Sequence, residues 1–540
     1  MMFFLLYLYG LSTKNIINII TVSLILFLLL QLNLFKIEKL VAFFMLVCIN
    51  CEIFIKFKYG DFSVGILESV LSTNKDEAYN FIYSNIGYVI LLFIASLFQL
   101  FVLLRYNTKV KVKKLFFALI FFSVLIIRDC PSTVLFSNLK SKVDTNFFEL
   151  NPQDSLINTL KDILNPGDNV LKFHNNYPVL IGDLFYTINF FAMQNRINEL
   201  LRHFDSIKRD HGTVIYNKEK KSVKNIVLIM SESSSARYYN IYGYKTFKTT
   251  PYLNELHSEG RIAVCSKVHS PANITRTSVP LNLSFATPDD FNDMYTYKSI
   301  INLANEAGYK TFWLATQNSG GLTGYGNTYE FISRSSSEVV SPDIPNSKFF
   351  KVTEDDNLSL KLLEKAIRMG DSFEKKFIVL HWVGNHAPYN FRYDDRDKLD
   401  LPSASDYDRS IRKTDRLIYE VLKYMDRNTD EYLLLFTSDH GEIPFDEGAG
   451  VEHGLTYGGY GQYEIPFILA NKGLNDTSCR DLDKYRFATG NFSGLYTKYV
   501  LLENMGFEIN DLSKFVERDK VLHSDGRVYE YENIPTLSRK

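Results

Sequence analysis

The sequence predicts an N-terminal polytopic α-helical membrane domain joined to an α/β domain with a mainly parallel sheet flanked by helices. Three observations lead there. At 540 residues the chain exceeds one ordinary domain. Its apolar residues, 46% of the whole, are concentrated before residue 130. From residue 224 short apolar runs alternate with amphipathic stretches, the pattern of βαβ units.

Charge and cysteine content bound the function class. Sixty basic against 61 acidic residues leave a formal net charge of -1, which gives no support to nucleic-acid binding. The five cysteines (Cys48, Cys51, Cys130, Cys265 and Cys479) are scattered, so no disulfide framework can be read and none is needed at this size. Cys48 and Cys51 lie one helical turn apart in an apolar segment and read as packing residues.

Residues 15–35 carry no charge and match the roughly 20 residues that span a bilayer. Further spans are expected at 39–57, 82–104 and 113–129, the last short enough that Lys113, Lys114 and Arg128 must snorkel. The opening "MMFFLLYLYGL" is too short alone and reads as a truncated first span or a signal-like stub; no basic n-region or cleavage site marks a removable signal. Arg105, Lys109, Lys111, Lys113 and Lys114 place their loop in the cytoplasm, and Lys36 and Lys39 agree. The loop 58–80 and everything after residue 130 then face outward, with five spans preferred over four. Residues 131–222 read as a connector, with "NPGDN" as a turn and an amphipathic run near 182–204 facing the membrane or the next domain.

The domain from 223 to 540 is predicted to hold strands at 225–230, 309–316, 376–383 and 432–438, and helices at 250–260, 299–308 and 407–425. Gly260 and Gly308 close the first two helices. Ligands of such sheets gather beyond the carboxyl ends of the strands. There the sequence sets Glu232, His386 and the pair Asp439–His440, with His453 following in "VEHGLTYGG". Singly these have plain readings: Glu232 as a helix-start carboxylate, Asp439 as an N-cap, His386 and His453 as loop residues. Together they suit zinc first and manganese second, and without paired cysteines a closed structural zinc site is not expected. The hydroxyls Thr275, Thr277 and Ser278 precede an apolar run, where a helix N-terminus would favour a phosphoryl group. Spacing does not choose among them.

The order of "MSESSSARYYNIYGY…TTPYLNEL", "ITRTSVP", "LHWVGNHAPYNFRYDD", "TSDHGE" and "EHGL" resembles the lipid A phosphoethanolamine transferases. These are inner-membrane enzymes with a sulfatase-like, alkaline-phosphatase-type catalytic domain facing the periplasm. The resemblance extends to the outward loop at 59–81. It implies Thr275, five residues before Pro280, as nucleophile, and Glu232, Thr275, Asp439 and His440 as ligands of one or two zinc ions. His386 and His453 would assist substrate, leaving group or a second metal. The implied reaction moves phosphoethanolamine from phosphatidylethanolamine to Thr275, then to a lipopolysaccharide acceptor (lipid A, core or another glycan). The protein is expected to be a monomer in the bacterial inner membrane, without nucleic-acid partners.

Three departures from the family follow from the residues. Pro271 and Leu281 stand where many relatives bracket the nucleophile loop with cysteines, and the other characteristic disulfides are expected to lack partners. "TQNSGG" at 316–321 lacks a lysine that some relatives carry. A phosphoglycerol or other phosphodiester transferase or hydrolase would share the metal site. A sulfatase is disfavoured because Ser270 directly precedes Pro271 and no arginine has the required spacing. A non-catalytic membrane scaffold would have lost a ligand, and none is lost.

Overall fold

The computed structural model describes residues 209–317, 329–342, 351–370, 374–444, 453–455, 457–474, 478–510 and 518–536, the helix Ile86–Arg105, and scattered residues between 43 and 83 and at 187. The chain divides into two compact units, one of residues 1–58 and 79–202, the other of 59–78 and 203–540.

In the first unit, helix α1 (Ile86–Arg105) falls on the third expected span. Asn50, on the second, donates to Ser96 at 3.1 Å and to Gln99 at 2.9 Å, and Gln99 donates back at 3.2 Å. Polar groups among apolar neighbours are thus satisfied by one another. Among the described residues no helix is long and apolar enough to cross a membrane. The expected spans 15–35 and 113–129, the loop 58–80 and nearly all of the connector lie outside those residues.

The second unit is built on a seven-stranded sheet. Its strands are β1 (Asn225–Ser231), β2 (Ile262–Val264), β3 (Tyr309–Ala315), β4 (Glu338–Val340), β5 (Lys375–His381), β6 (Tyr432–Ser438) and β7 (Phe467–Lys472), in spatial order β2-β7-β6-β1-β5-β3-β4. All four predicted strands are present, and they lie side by side and parallel at the centre. Strand β7 runs against both neighbours, β6 and β2, so the sheet is mixed. β1 and β6 are buried at every residue, which is why they read as unbroken apolar runs.

Helices α2 (Pro251–Ser258), α3 (Thr275–Leu283), α4 (Ile300–Glu306), α5 (Ser359–Arg368), α6 (Asp406–Asn428) and α7 (Thr497–Asn504) complete the unit. Val227, Ile229, Leu434 and Phe436 of the sheet share one core with Leu253 and Leu256 of α2, Leu362 and Leu363 of α5, and Ile411, Ile418 and Leu422 of α6. α6 outruns its predicted range at both ends, starting where Ser405 and Asp408 form a capping box and ending at the C-cap Thr429. Residues 214–216 pair antiparallel with 507–509, so the chain ahead of β1 is tied to the C-terminal part of this unit.

Cys265 and Cys479 form a disulfide, a pairing that the sequence alone leaves open. Spacing could not reveal it, since 214 residues separate the two. The sheet supplies the proximity: Cys265 follows β2 at the sheet edge and donates its N–H to Phe467 of β7. Closing so long a loop restricts the unfolded chain strongly. Cys265→Ser is expected to lower unfolding stability by about 2–5 kcal/mol, measured by denaturant titration. Peptide mapping without reductant should find Cys265 and Cys479 linked.

Candidate active site

The site is assembled by strand register. Ser231 pairs with Ser438, so the residues that follow β1 and β6, Glu232 and Asp439, leave the sheet side by side. The Asp439 N–H donates to the Ser231 carbonyl at 3.0 Å. Both carboxylates and His440 have no solvent exposure. Between them Ser233 takes a left-handed φ of +55°, a conformation that costs a non-glycine residue roughly 1–3 kcal/mol. The turn aims its N–H at Asp439 Oδ1 (3.2 Å) and its hydroxyl at Glu232 Oε1 (3.0 Å).

The loop after β5 closes against this turn. Gly384 sits at φ +55° with its open side on Glu232, where a Cβ would meet the Glu232 backbone at 2.6 Å. Only glycine allows that approach. Asp356 holds the loop by accepting from Val383 N (3.1 Å) and Gly384 N (2.9 Å), and Asn385 N donates to the Glu232 carbonyl at 2.9 Å.

Thr275 opens α3. Its hydroxyl donates to Glu232 at 2.9 and 3.0 Å and lies 3.2 Å from His440 Nε2. Thr277 and Ser278 donate instead to the carbonyls of Ile274 and Asp439. Of the three hydroxyls left open by spacing, Thr275 is the one that reaches the carboxylate–imidazole cluster. Lys498 donates to the Leu281 carbonyl at 2.7 Å at the far end of α3, and burial lowers its amine to about 7.

His440 Nδ1 lies 2.8 Å from the Gly441 carbonyl, which turns Nε2 into the site, 3.1 Å from Glu232 Oε1 and 3.5 Å from Asp439 Oδ2. His453 joins the cluster: its ring centroid is 4.3 Å from that of His440, and candidate ligand atoms of Glu232, His440 and His453 fall within 4.8 Å of one another. His386 is half-buried, with its ring 5.6 Å from that of His453. All six expected residues are thus brought together. Two partners escaped the sequence reading. Glu442 accepts from or faces His453 Nδ1 at 3.1 Å, and Gln317 donates to Glu232 Oε2 at 3.0 Å. Glu442 was visible as the last residue of "TSDHGE"; nothing in the sequence tied Gln317 to a residue 85 positions away.

Burial is the largest single influence on each group, and neighbouring charges decide the direction at Glu232 and His440. It pushes Glu232 up, but the imidazoles of His440, His386 and His453 outweigh it and hold the carboxyl well below its ordinary range. Burial and then the neighbouring Glu232 push Asp439 well above its own. Burial alone would lower His440, yet Asp439 and Glu232 raise it to about 10. Burial also lifts Glu442 to about 8 against the pull of His440 and His386. Two buried carboxylates crowded on one imidazole call for a cation. Asp439 Oδ2 fits that need: it is buried and has no hydrogen bond among the described residues. Carboxylate oxygens, a hydroxyl and an imidazole nitrogen form a donor set suited to zinc.

Residues 224–485 match the sulfatase family model, and curated proteins similar to the chain are phosphoethanolamine transferases. Phosphoethanolamine transferase EptC of Escherichia coli O18:K1:H7 is 26% identical over 268 residues, 46% of this chain and 44% of the relative. EptA of Helicobacter pylori is 26% identical over 45% of this chain and 47% of its own. The matched part therefore spans about half the length of these relatives. Lipooligosaccharide phosphoethanolamine transferase A of Neisseria meningitidis, an integral membrane protein of solved structure, superposes with a TM-score of 0.58 at 18% identity. That likeness covers 89% of this chain and 86% of the other, and it supports the fold.

If Glu232 and Asp439 serve a cation, the purified protein should bind zinc, and Asp439→Asn should weaken binding by more than about tenfold. Metal analysis after dialysis at graded free zinc checks this. Equal occupancy in wild type and variant would remove Asp439 from the ligand set.

Proposed function

We propose that the chain is a multi-pass inner-membrane transferase that moves phosphoethanolamine from phosphatidylethanolamine to a lipopolysaccharide acceptor, with Thr275 as the covalent carrier. One observation carries the reading. Thr275 alone among its neighbouring hydroxyls points at the Glu232–His440 cluster, and it does so from the N-terminus of a helix. Such a terminus favours the charge of a phosphoryl group.

Glu232, Thr275, Asp439 and His440 would hold one zinc ion, which when bound lowers the pKa of the hydroxyl and offsets charge on the phosphoryl oxygens. His386 and His453 are the residues available to a second ion. In the first half-reaction the Thr275 Oγ1–P bond forms as the bond from phosphorus to the diacylglycerol oxygen breaks. The hydroxyl proton leaves to solvent, and His386 or His453 gives a proton to the departing oxygen. In the second, an acceptor hydroxyl gives its proton back to that imidazole as its oxygen bonds to phosphorus, the Oγ1–P bond breaks and Thr275 recovers a proton from solvent. Gln317 keeps Glu232 oriented throughout by its bond to Oε2.

The Cys265–Cys479 disulfide supports an oxidising compartment for the catalytic unit, in keeping with an outward-facing, periplasmic domain. Membrane spans would hold the site beside a donor and an acceptor that are both lipids.

Expression of the wild-type chain should add one phosphoethanolamine to the host lipopolysaccharide, read by mass spectrometry of lipid A and core fragments. Thr275→Ala should reduce the yield by more than about a thousandfold, as loss of a nucleophile does. Full modification by Thr275→Ala would contradict the proposal. A phosphoglycerol group in place of phosphoethanolamine would overturn the donor.

A further inference from the structure

We propose that a cavity beside the Thr275–Glu232 cluster seats the ammonium group of the donor headgroup, with Trp313, Tyr329, His381 and Gln317 selecting for it. This rests on the reading of the site as a phosphoethanolamine transferase. The cavity has a volume of about 350 Å³ and opens at the carboxyl ends of β3 and β5. Ala315 and His381 are register partners there, and Trp313, Ala315 and Gln317 follow one another at the two-residue period that keeps side chains on one face.

Two buried polar atoms lining this space have no hydrogen bond among the described residues: His381 Nε2 and Gln317 Oε1. His381 is 1% exposed, and an unsatisfied nitrogen at that depth costs about 1–3 kcal/mol unless a ligand supplies a partner. Gln317 has committed its amide nitrogen to Glu232 and turns its oxygen, an acceptor, to the cavity. A neutral imidazole nitrogen and an amide oxygen are both acceptors for an N–H donor.

Aromatic rings form the rest of the wall. The His381 ring stands edge-to-face with Trp313 at 5.5 Å and with Tyr329 at 5.3 Å. Trp313 and Tyr329 stack at 6.2 Å. Ring faces attract cations. The cation lining the cavity, Arg334, is paired with the carboxylate of Glu330, so it does not set a repelling charge against an incoming amine. Acceptors, ring faces and a neutralised arginine suit an alkylammonium and suit an anion poorly.

Position matches the headgroup. Gln317 Nε2 and Thr275 Oγ1 both bond to Glu232 Oε2, so two hydrogen bonds in series connect the nucleophile to the cavity wall. A phosphorus attacked at Thr275 would carry its two-carbon amine toward that wall.

The test uses the full chain in detergent and two p-nitrophenyl phosphodiesters, one carrying ethanolamine and the other a neutral ethyl group. The wild type should favour the ethanolamine ester by roughly tenfold in kcat/KM, the scale of a desolvated cation–ring contact. His381→Leu and Tyr329→Leu should each bring that ratio close to one. The ratio is internal to each preparation, so partial misfolding does not move it. Equal wild-type rates on both esters would overturn the cavity assignment while leaving phosphodiester chemistry at Thr275 in place. A wild-type preference with the ratio unchanged in both variants would also overturn it, and would point to an acceptor sugar ring in this space. A glycerol ester cleaved faster than either would overturn the transferase reading as well.

Discussion

Everything at the site depends on two buried carboxylates, Glu232 and Asp439, being forced together by the pairing of two parallel strands. A lone buried charge would be strongly destabilising. Here the register Ser231↔Ser438 leaves no other place for the two side chains. The surrounding residues are therefore arranged to satisfy them. His440 approaches Glu232, Ser233 turns into a costly left-handed conformation to bond both, and Gln317 completes the partners of Glu232. Asp439 Oδ2 is left without a hydrogen bond among the described residues.

The same constraint explains the rigid surroundings. A charge cluster of this kind loses its geometry if the loops that carry it drift. β1 and β6 are buried at every residue, Gly384 lets the β5 loop lie directly on Glu232, and Asp356 ties that loop down through two backbone N–H groups. α3 presents Thr275 to the cluster while Ser278, one turn along, anchors it to the Asp439 carbonyl. Thr275 and an acidic residue of the cluster are thus fixed to each other by the backbone. The disulfide of this chain lies elsewhere, at the sheet edge next to β2.

Much of this was legible in the sequence because the central strands are long, apolar and bounded by polar residues, and because their helices carry caps or closing glycines. The ends of those strands pointed to Glu232, His386, Asp439 and His440 without any structure. What escaped detection is non-local or short. β2 and β4 have three residues each, too few for a period, and the antiparallel sense of β7 is set by pairing that a single strand does not encode. Gln317 and the Cys265–Cys479 bond bring together residues far apart in the chain, so only the sheet order makes them neighbours. That Thr275 faces the cluster while Thr277 and Ser278 bond to backbone carbonyls also required three dimensions.

Thr275 as covalent carrier is tested most directly by peptide mass mapping of the full chain after brief exposure to phosphatidylethanolamine without an acceptor. A phosphoethanolamine group should be found on the peptide containing Thr275, localised by fragmentation to that hydroxyl, with diacylglycerol released in equal amount. Diacylglycerol release with an unmodified Thr275, or with the group on Thr277 or Ser278, would contradict the assignment.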